Sequence, residues 1–318
     1  MSSKAAGFLR KWMLLISMCM GVGIYLFLHL HPGCEGAEKA YMRFASDVQP
    51  FLVGVMLFLQ FNVTAPRDLH LHRWHAEELC VQAALFAVFA VLTILLPDGT
   101  PRLLCESAML CFICPTAAAC GVITSRIGGS LQQTMAYLLL CCLMSSVLIP
   151  LVVPLVNPRE GLSYLQLLWN VSREVFSMLV LPCVIAWTIR FTLPGVQRWI
   201  ARYTSYAFYV WGVSLTLAMS LATRALVQSH AGFRAAAGTG LVALACCLLQ
   251  FAAGRRIARR YGRSISVTAG QTFGQKNTGF LIWLGIGYMT PLTSVAGGLY
   301  ALWQNLMNSW ELRHYREG

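Results

Sequence analysis

The chain has 318 residues, of which 57% are hydrophobic and only 11% charged, and its mean hydropathy is +0.62. A soluble domain carries roughly 25% charged residues, so this composition excludes one and describes an integral membrane protein in a lipid bilayer. The net charge of +12 fits basic loops on one membrane face, and no nucleic-acid partner is expected.

At about 20 residues per span, residues 1–318 make a single membrane domain of about ten helices with no room for a soluble one. A short basic start (Lys4, Arg10, Lys11) precedes a first span over Trp12–Leu30. A signal peptide is the rival reading, but the run is long and His31-Pro32-Gly33-Cys34-Glu35 is a poor cleavage site. The second span is expected over Pro50–Val63, with a start near Phe44 as the alternative. The link Thr64–Glu78 carries His70, His72 and His75 beside Arg67, Arg73 and Trp74, which suits an interfacial segment better than a metal site. The third span follows over Leu79–Leu96, the fourth over Leu103–Ser125 and the fifth over Leu131–Val156. Asn157–Ser172 reads as a polar, partly amphipathic connector. The later spans are expected over Glu174–Leu193, Ser205–Val227, Ala235–Ala253, Ile265–Met289 and Pro291–Trp310, with a basic run at Arg255–Arg263 before the ninth. Most of the twelve cysteines lie in apolar runs and act as small hydrophobes. Cys111-Phe-Ile-Cys114 therefore reads as helix filler.

Two spans break the pattern. The fourth contains Cys114-Pro115-Thr116-Ala117-Ala118-Ala119-Cys120-Gly121, where proline and small residues interrupt the helical ladder. The ninth contains Gly270-Gln271-Thr272-Phe273-Gly274-Gln275-Lys276-Asn277-Thr278-Gly279 inside greasy flanks. A lysine at the middle of a membrane helix costs about 2.5–3.5 kcal/mol on insertion scales. The stretch is read as a broken helix with its polar groups turned to a cavity, which Gln304 and Asn308 of the tenth span also face. Gln82 and Gln60 are weaker candidates.

Counting Lys and Arg by loop puts about sixteen on the side of the N-terminus and about seven on the other, so both termini are expected in the cytoplasm. Residues 12–156 and 173–311 share an outline of five spans with the fourth interrupted, and an odd number of spans makes the halves oppositely oriented. Paired interrupted helices in corresponding places point to a transporter's binding site. The expected fold is all-α and polytopic, with about ten transmembrane helices in two inverted five-helix repeats whose helices 4 and 9 are broken and cross.

At these two spans the chain resembles the bile acid:sodium symporter family. The matching stretches are Cys114–Val122, followed by the helix with Ser145-Ser146, Pro150 and Pro154, and Gly274–Gly279, followed by the helix with Pro291, Gln304-Asn305 and Asn308. The resemblance implies a core domain of spans three to five and eight to ten that moves against a panel of the others, and organic-anion substrates: bile acids, sulfated steroids or small carboxylates. The chain departs from the family where sodium is held. Thr272 stands at the position of the family's glutamate, Lys276 at that of its glutamine, and Cys120-Gly121 at its Ser-Asn pair. The usual sodium ligands are thus replaced and an ammonium has arrived. Lys276 is expected to stand where sodium sits in relatives, bonded to Thr116, the Cys120 carbonyl or Ser146. The implied function is a secondary transporter of an organic anion, sodium-independent, with no cofactor. The alternatives are a sodium-coupled symporter with a rearranged site and a non-transporting sensor or subunit. An enzyme is not expected: the acidic residues read as loop residues apart from Glu106, and His29 and His230 lie at span ends. The expected location is a bacterial cytoplasmic (inner) membrane.

Overall fold

A chain segment in lipid must satisfy its backbone groups internally, and this sequence does so almost entirely with helices. The computed structural model describes residues 3–228 and 233–314. His230, Arg316 and the side chains of Lys4, Arg10 and Lys11 lie outside the described residues. In chain order the helices are α1 (Ser3–Leu30), α2 (Glu35–Val63), α3 (Arg73–Leu95), α4 (Thr100–Ile113), α5 (Cys120–Arg126), α6 (Leu131–Val156) and α7 (Tyr164–Leu179). They continue as α8 (Leu181–Thr192), α9 (Pro194–Ala201), α10 (Ala207–Gln228), α11 (Phe233–Ala258), α12 (Arg263–Gly274), α13 (Thr278–Tyr288) and α14 (Ser294–His314). Among the described residues there is no β-strand, only an isolated antiparallel bridge between Thr116 and Lys276.

Six of these helices are long and apolar enough to cross a membrane, namely α1, α2, α3, α6, α10 and α11, and α7 with α8, bent by 43°, make a seventh. Their outer faces carry exposed Phe27, Phe51, Leu95, Val147 and Phe191, the surface a lipid solvent favours. Two further apolar stretches are cut short by the breaks between α4 and α5 and between α12 and α13, while α14 is unbroken but more polar.

Several boundaries differ from the sequence reading; α11, for one, runs on to Ala258 and takes in Arg255 and Arg256 of the basic run. α2 begins at Glu35, well before Pro50, because Pro50 is carried inside the helix. α3 begins at Arg73, so His75 and Glu78 belong to a helix and not to an interfacial link. The stretch read as a connector is largely α7. Ser163 caps it, accepting from Gln166 N at 3.3 Å, and Leu167, Val171, Val175 and Met178 bury one face. The sixth span is thus bent at Val180, ahead of Pro182, where no break was foreseen.

The packing repeats itself. α3 packs along α4 as α11 packs along α12, α5 lies on α6 as α13 lies on α14, and α1 packs on α10 while α2 packs on α8. Cross-links group the ends. Arg260 pairs with Glu77, Ser264 Oγ donates to Gly128 O (2.8 Å) and Ser130 N donates to Thr268 Oγ1 (2.8 Å). At the opposite ends of the helices, Asn157 Nδ2 donates to Tyr288 O (3.0 Å), and Glu106 accepts from Thr290 N (2.6 Å) and Oγ1 (2.8 Å).

The α11–α12 seam depends on glycine. A Cβ on Gly254 of α11 would lie 2.4 Å from the Ala269 carbonyl oxygen and 3.0 Å from Gly270 Cα, both backbone, whereas one on Gly287 of α13 meets nothing within 4 Å. Overpacking typically costs about 1–3 kcal/mol, and Ala in a helix gains up to about 1 kcal/mol over Gly. Thermal unfolding in detergent should therefore show Gly254→Ala destabilised and Gly287→Ala unchanged or stabilised. Equal unfolding temperatures would contradict the α11–α12 seam.

Candidate functional site

The two breaks meet. Cys114–Ala119 and Gln275–Asn277 leave backbone groups without helical partners, and each stretch satisfies the other. Ala117 N donates to Gln275 O (2.9 Å) and Asn277 N donates to Pro115 O (2.8 Å). Thr116 Oγ1 donates to Thr272 O (2.7 Å), and Cys114 Sγ lies 3.0 Å from Asn277 O. Pro115 lacks an N–H and disrupts helix on both sides of itself, so the first break falls there. Asn277 starts α13 by accepting from Phe280 N with its side chain (3.2 Å), and Thr278 is the first residue of that helix.

Lys276 sits at the centre and is fully buried. Its backbone is clamped by Gln304 of α14: Lys276 N donates to Oε1 (2.8 Å) and Nε2 donates to Lys276 O (3.2 Å). Its Nζ has no hydrogen-bond partner and lies 5.0 Å from the centre of the Phe273 ring. The C-terminal ends of α4 and α12 both reach this crossing, and helix C-termini favour cations.

The expected partners of the ammonium are therefore not its partners. Thr116 bonds Thr272, not Nζ. Cys120 opens α5, with its carbonyl accepting from Thr124 Oγ1 (2.9 Å). Ser146 is half-buried and donates to Cys142 O of its own helix (2.8 Å); its neighbour Ser145 is the buried one and donates to Ile113 O (2.8 Å) at the end of α4. A one-residue phase on α6 separates the two serines. Gln304 acts on the backbone, and Asn308, one turn on, is buried with Oδ1 unpartnered. Gln271 and Gln275 join a second cluster: Gln275 Nε2 donates to Gln271 Oε1, Gln271 Nε2 donates to Glu311 Oε2, and Glu311 pairs with Arg255.

Three groups escaped the sequence reading. Glu78 on α3 is fully buried, and its Oε1 lies 3.2 Å from Thr272 Oγ1. Glu78 of α3 thus brings a carboxylate to Thr272 on α12. Glu311 is likewise buried within α14, so the acidic residues are not confined to loops. Gln49 on α2 is fully buried with both amide atoms unpartnered, and a Cβ on Gly279 would lie 2.8 Å from its Nε2. On α3 the buried residues Trp74, His75, Glu78, Gln82, Phe86 and Ala90 recur every three or four positions, a helical stripe that runs through the supposed link and was visible in the sequence.

The two breaks are held in a similar way. Gln82 Nε2 donates to Cys114 O (3.4 Å), where α4 ends, and Tyr137 of α6 donates to Gln82 Oε1 (2.9 Å). At the second break Tyr300 of α14 donates to Gly274 O (2.8 Å), where α12 ends, and Gln250 of α11 donates to the Tyr300 hydroxyl (3.0 Å). Among the described residues no three His, Cys, Asp or Glu side chains gather as a metal cluster, and all twelve cysteines are free.

Composition and fold define an all-α integral membrane protein. Comparison with protein-family models and with curated proteins yields no match.

Leaving a buried polar group unsatisfied costs about 1–3 kcal/mol. Gln304→Leu strips a donor and an acceptor from the Lys276 backbone, whereas Asn305 bonds only Ala301 O of its own helix (2.7 Å). Gln304→Leu should lower the unfolding temperature clearly more than Asn305→Leu, and the reverse order would contradict the clamp.

Proposed function

We propose that the chain is a secondary transporter of an organic anion that works by alternating access without sodium, Lys276 standing in for the ion. The observation that carries this reading is one fully buried lysine side chain at the meeting point of two interrupted helices. A lysine there is costly, and it occupies the spot where two helix C-termini favour a cation. Sodium needs oxygen ligands and a net negative site. Glu78 supplies a carboxylate but already faces the Lys276 charge, which speaks against a rearranged sodium site.

Ten spans in two inverted five-helix halves are part of the proposal. Its support is the recurrence of contacts: Gln82 and Tyr137 against the end of α4, Gln250 and Tyr300 against the end of α12. Glu106 reaches from α4 to the turn before α14, and Thr268 reaches from α12 to the turn before α6. In this scheme α3–α6 and α11–α14 are the moving core, and α1, α2, α7, α8 and α10 the panel. Gln49 of the panel, opposite Gly279, would meet a substrate between the two. The end-grouping of Arg126, Arg255, Arg256, Arg259, Arg260 and Arg263 supports that end as cytoplasmic, with both termini there, in a bacterial inner membrane. The substrate class is a bile-acid-like, steroid-sulfate-like or small carboxylate anion. A non-transporting sensor of the same fold is the second reading, favoured by one observation: the crossing is closed, with Lys276, Thr116 and Gln271 all buried.

Uptake of taurocholate, a steroid sulfate and pyruvate into proteoliposomes tests the proposal. At least one should accumulate equally well in sodium and in potassium buffer, and Lys276→Gln should lose about tenfold or more, the effect of about 1.4 kcal/mol. Uptake that rises steeply with sodium would overturn the sodium-free reading. Binding of these anions without uptake would move the assignment to a sensor.

A further inference from the structure

We propose that Glu78 and Lys276 form a proton-binding pair, and that one proton enters on Glu78 when an anion docks against the Lys276 ammonium, so that anion and proton cross together. The binding half of this statement stands on the geometry alone, while the coupling half rests on the transport reading above.

Both side chains are fully buried, and each ends in an atom with no partner: Nζ of Lys276 and Oε2 of Glu78. One residue separates them: Thr272 Oγ1 donates to Glu78 Oε1 (3.2 Å), and Thr272 O accepts from Thr116 (2.7 Å), the bridge partner of Lys276, while Glu78 and Lys276 themselves make no direct ion pair and no hydrogen bond. Unpartnered charges in an interior are strongly disfavoured, so an open pair of this kind is one that chemistry must complete. The other groups around it do not supply a competing charge. From α6, the Tyr137 hydroxyl donates to Gln82 Oε1 (2.9 Å) and also lies against Glu78, and Cys141 is a thiol that faces Gln82. From α4 and α5 come the thiols Cys111, Cys114 and Cys120. On α3 itself His75 lies one turn before Glu78, with Nε2 unpartnered. The charges contributed by α14 and α11, Glu311 and Arg255, are paired with each other. Glu77 is paired with Arg260.

Charge balance then sets the stoichiometry. Lys276 as ammonium and Glu78 as carboxylate sum to zero. A monovalent anion seated against Nζ leaves the site with an excess negative charge. A proton from the aqueous phase forms an O–H bond at Glu78 Oε2 and restores neutrality; it dissociates from the same atom when the anion leaves on the other side. No electron moves and no covalent bond to the substrate is made.

The purified full-length protein in lipid tests the pair first. Infrared titration should show a carboxylic-acid carbonyl band that grows on acidification, disappears in Glu78→Gln and survives in Glu311→Gln. A titrating band that persists unchanged in Glu78→Gln overturns the pair. Should Glu78→Gln fail to fold, dicyclohexylcarbodiimide, which adds to protonated buried carboxyls, is applied to the wild-type chain and mapped by mass spectrometry. Labelling of Glu78 that quickens at acid pH supports the proposal, and an unlabelled Glu78 overturns it. Coupling is read from uptake of taurocholate, a steroid sulfate and pyruvate at clamped zero potential. With one proton per anion, each unit of pH gradient, acid outside, supports about a tenfold accumulation ratio of a monovalent anion. A protonophore should abolish the gradient-driven part, and Glu78→Gln should lack it. Uptake indifferent to the gradient overturns the coupling. If none of the three anions is taken up, the transport reading fails while the infrared band still decides the fate of the pair.

Discussion

Two short stretches of non-helical backbone, each unaffordable alone in lipid, hold each other in this fold. The cost of an unsatisfied backbone group in an apolar interior is several kcal/mol. Pro115 and the glycine-flanked Gln275–Asn277 segment create such groups in two helices far apart in sequence, and the antiparallel bridge at Thr116 and Lys276 removes the deficit of both at once. Helices α3, α6, α11 and α14 pack so as to bring Gln82, Ser145, Gln250, Tyr300 and Gln304 onto the remaining carbonyls and N–H groups of the breaks. The rest of the core is placed by the need to serve that junction.

How far this was readable beforehand depended on the kind of signal. Both breaks were legible, because proline, glycine and a run of amides inside greasy sequence have no other explanation at membrane depth. Lys276 was legible for the same reason. Its surroundings were not. Ser145 and Ser146 are adjacent in sequence but point to different faces of α6, and only the helical phase decides which one reaches α4. Glu78 was hidden by its neighbours: His70, His72, Arg73 and Glu77 look like a loop, and a stripe of buried positions three and four apart has to be followed through them to see a helix. Glu311 was lost likewise among the polar residues of the chain's end, although Gln304, Asn308 and Glu311 share one face of α14. The α7–α8 bend was missed because apolar sequence continues on both sides of Val180.

The interior polar groups fall into two sets with different characters. Gln275, Gln271, Glu311 and Arg255 form a closed chain in which every charge is answered by a neighbour; such a set fixes the relative position of α11, α12 and α14. Glu78 and Lys276 form an open one, with an unpartnered atom at each end. Closed networks rigidify and open ones invite a ligand or a proton. That contrast, within a few turns of the same helices, is the physical reason for reading the first set as structural and for proposing proton chemistry at the second.

The central claim is that a fixed ammonium fills the place of a mobile metal ion. Equilibrium binding of radioactive sodium to the purified protein bears on it without any knowledge of the substrate. The wild-type chain should show no saturable sodium binding above that of a potassium-equilibrated control. Saturable binding of about one sodium ion per chain to the unmodified protein, with Lys276 in place, would mean that the ammonium does not replace the ion.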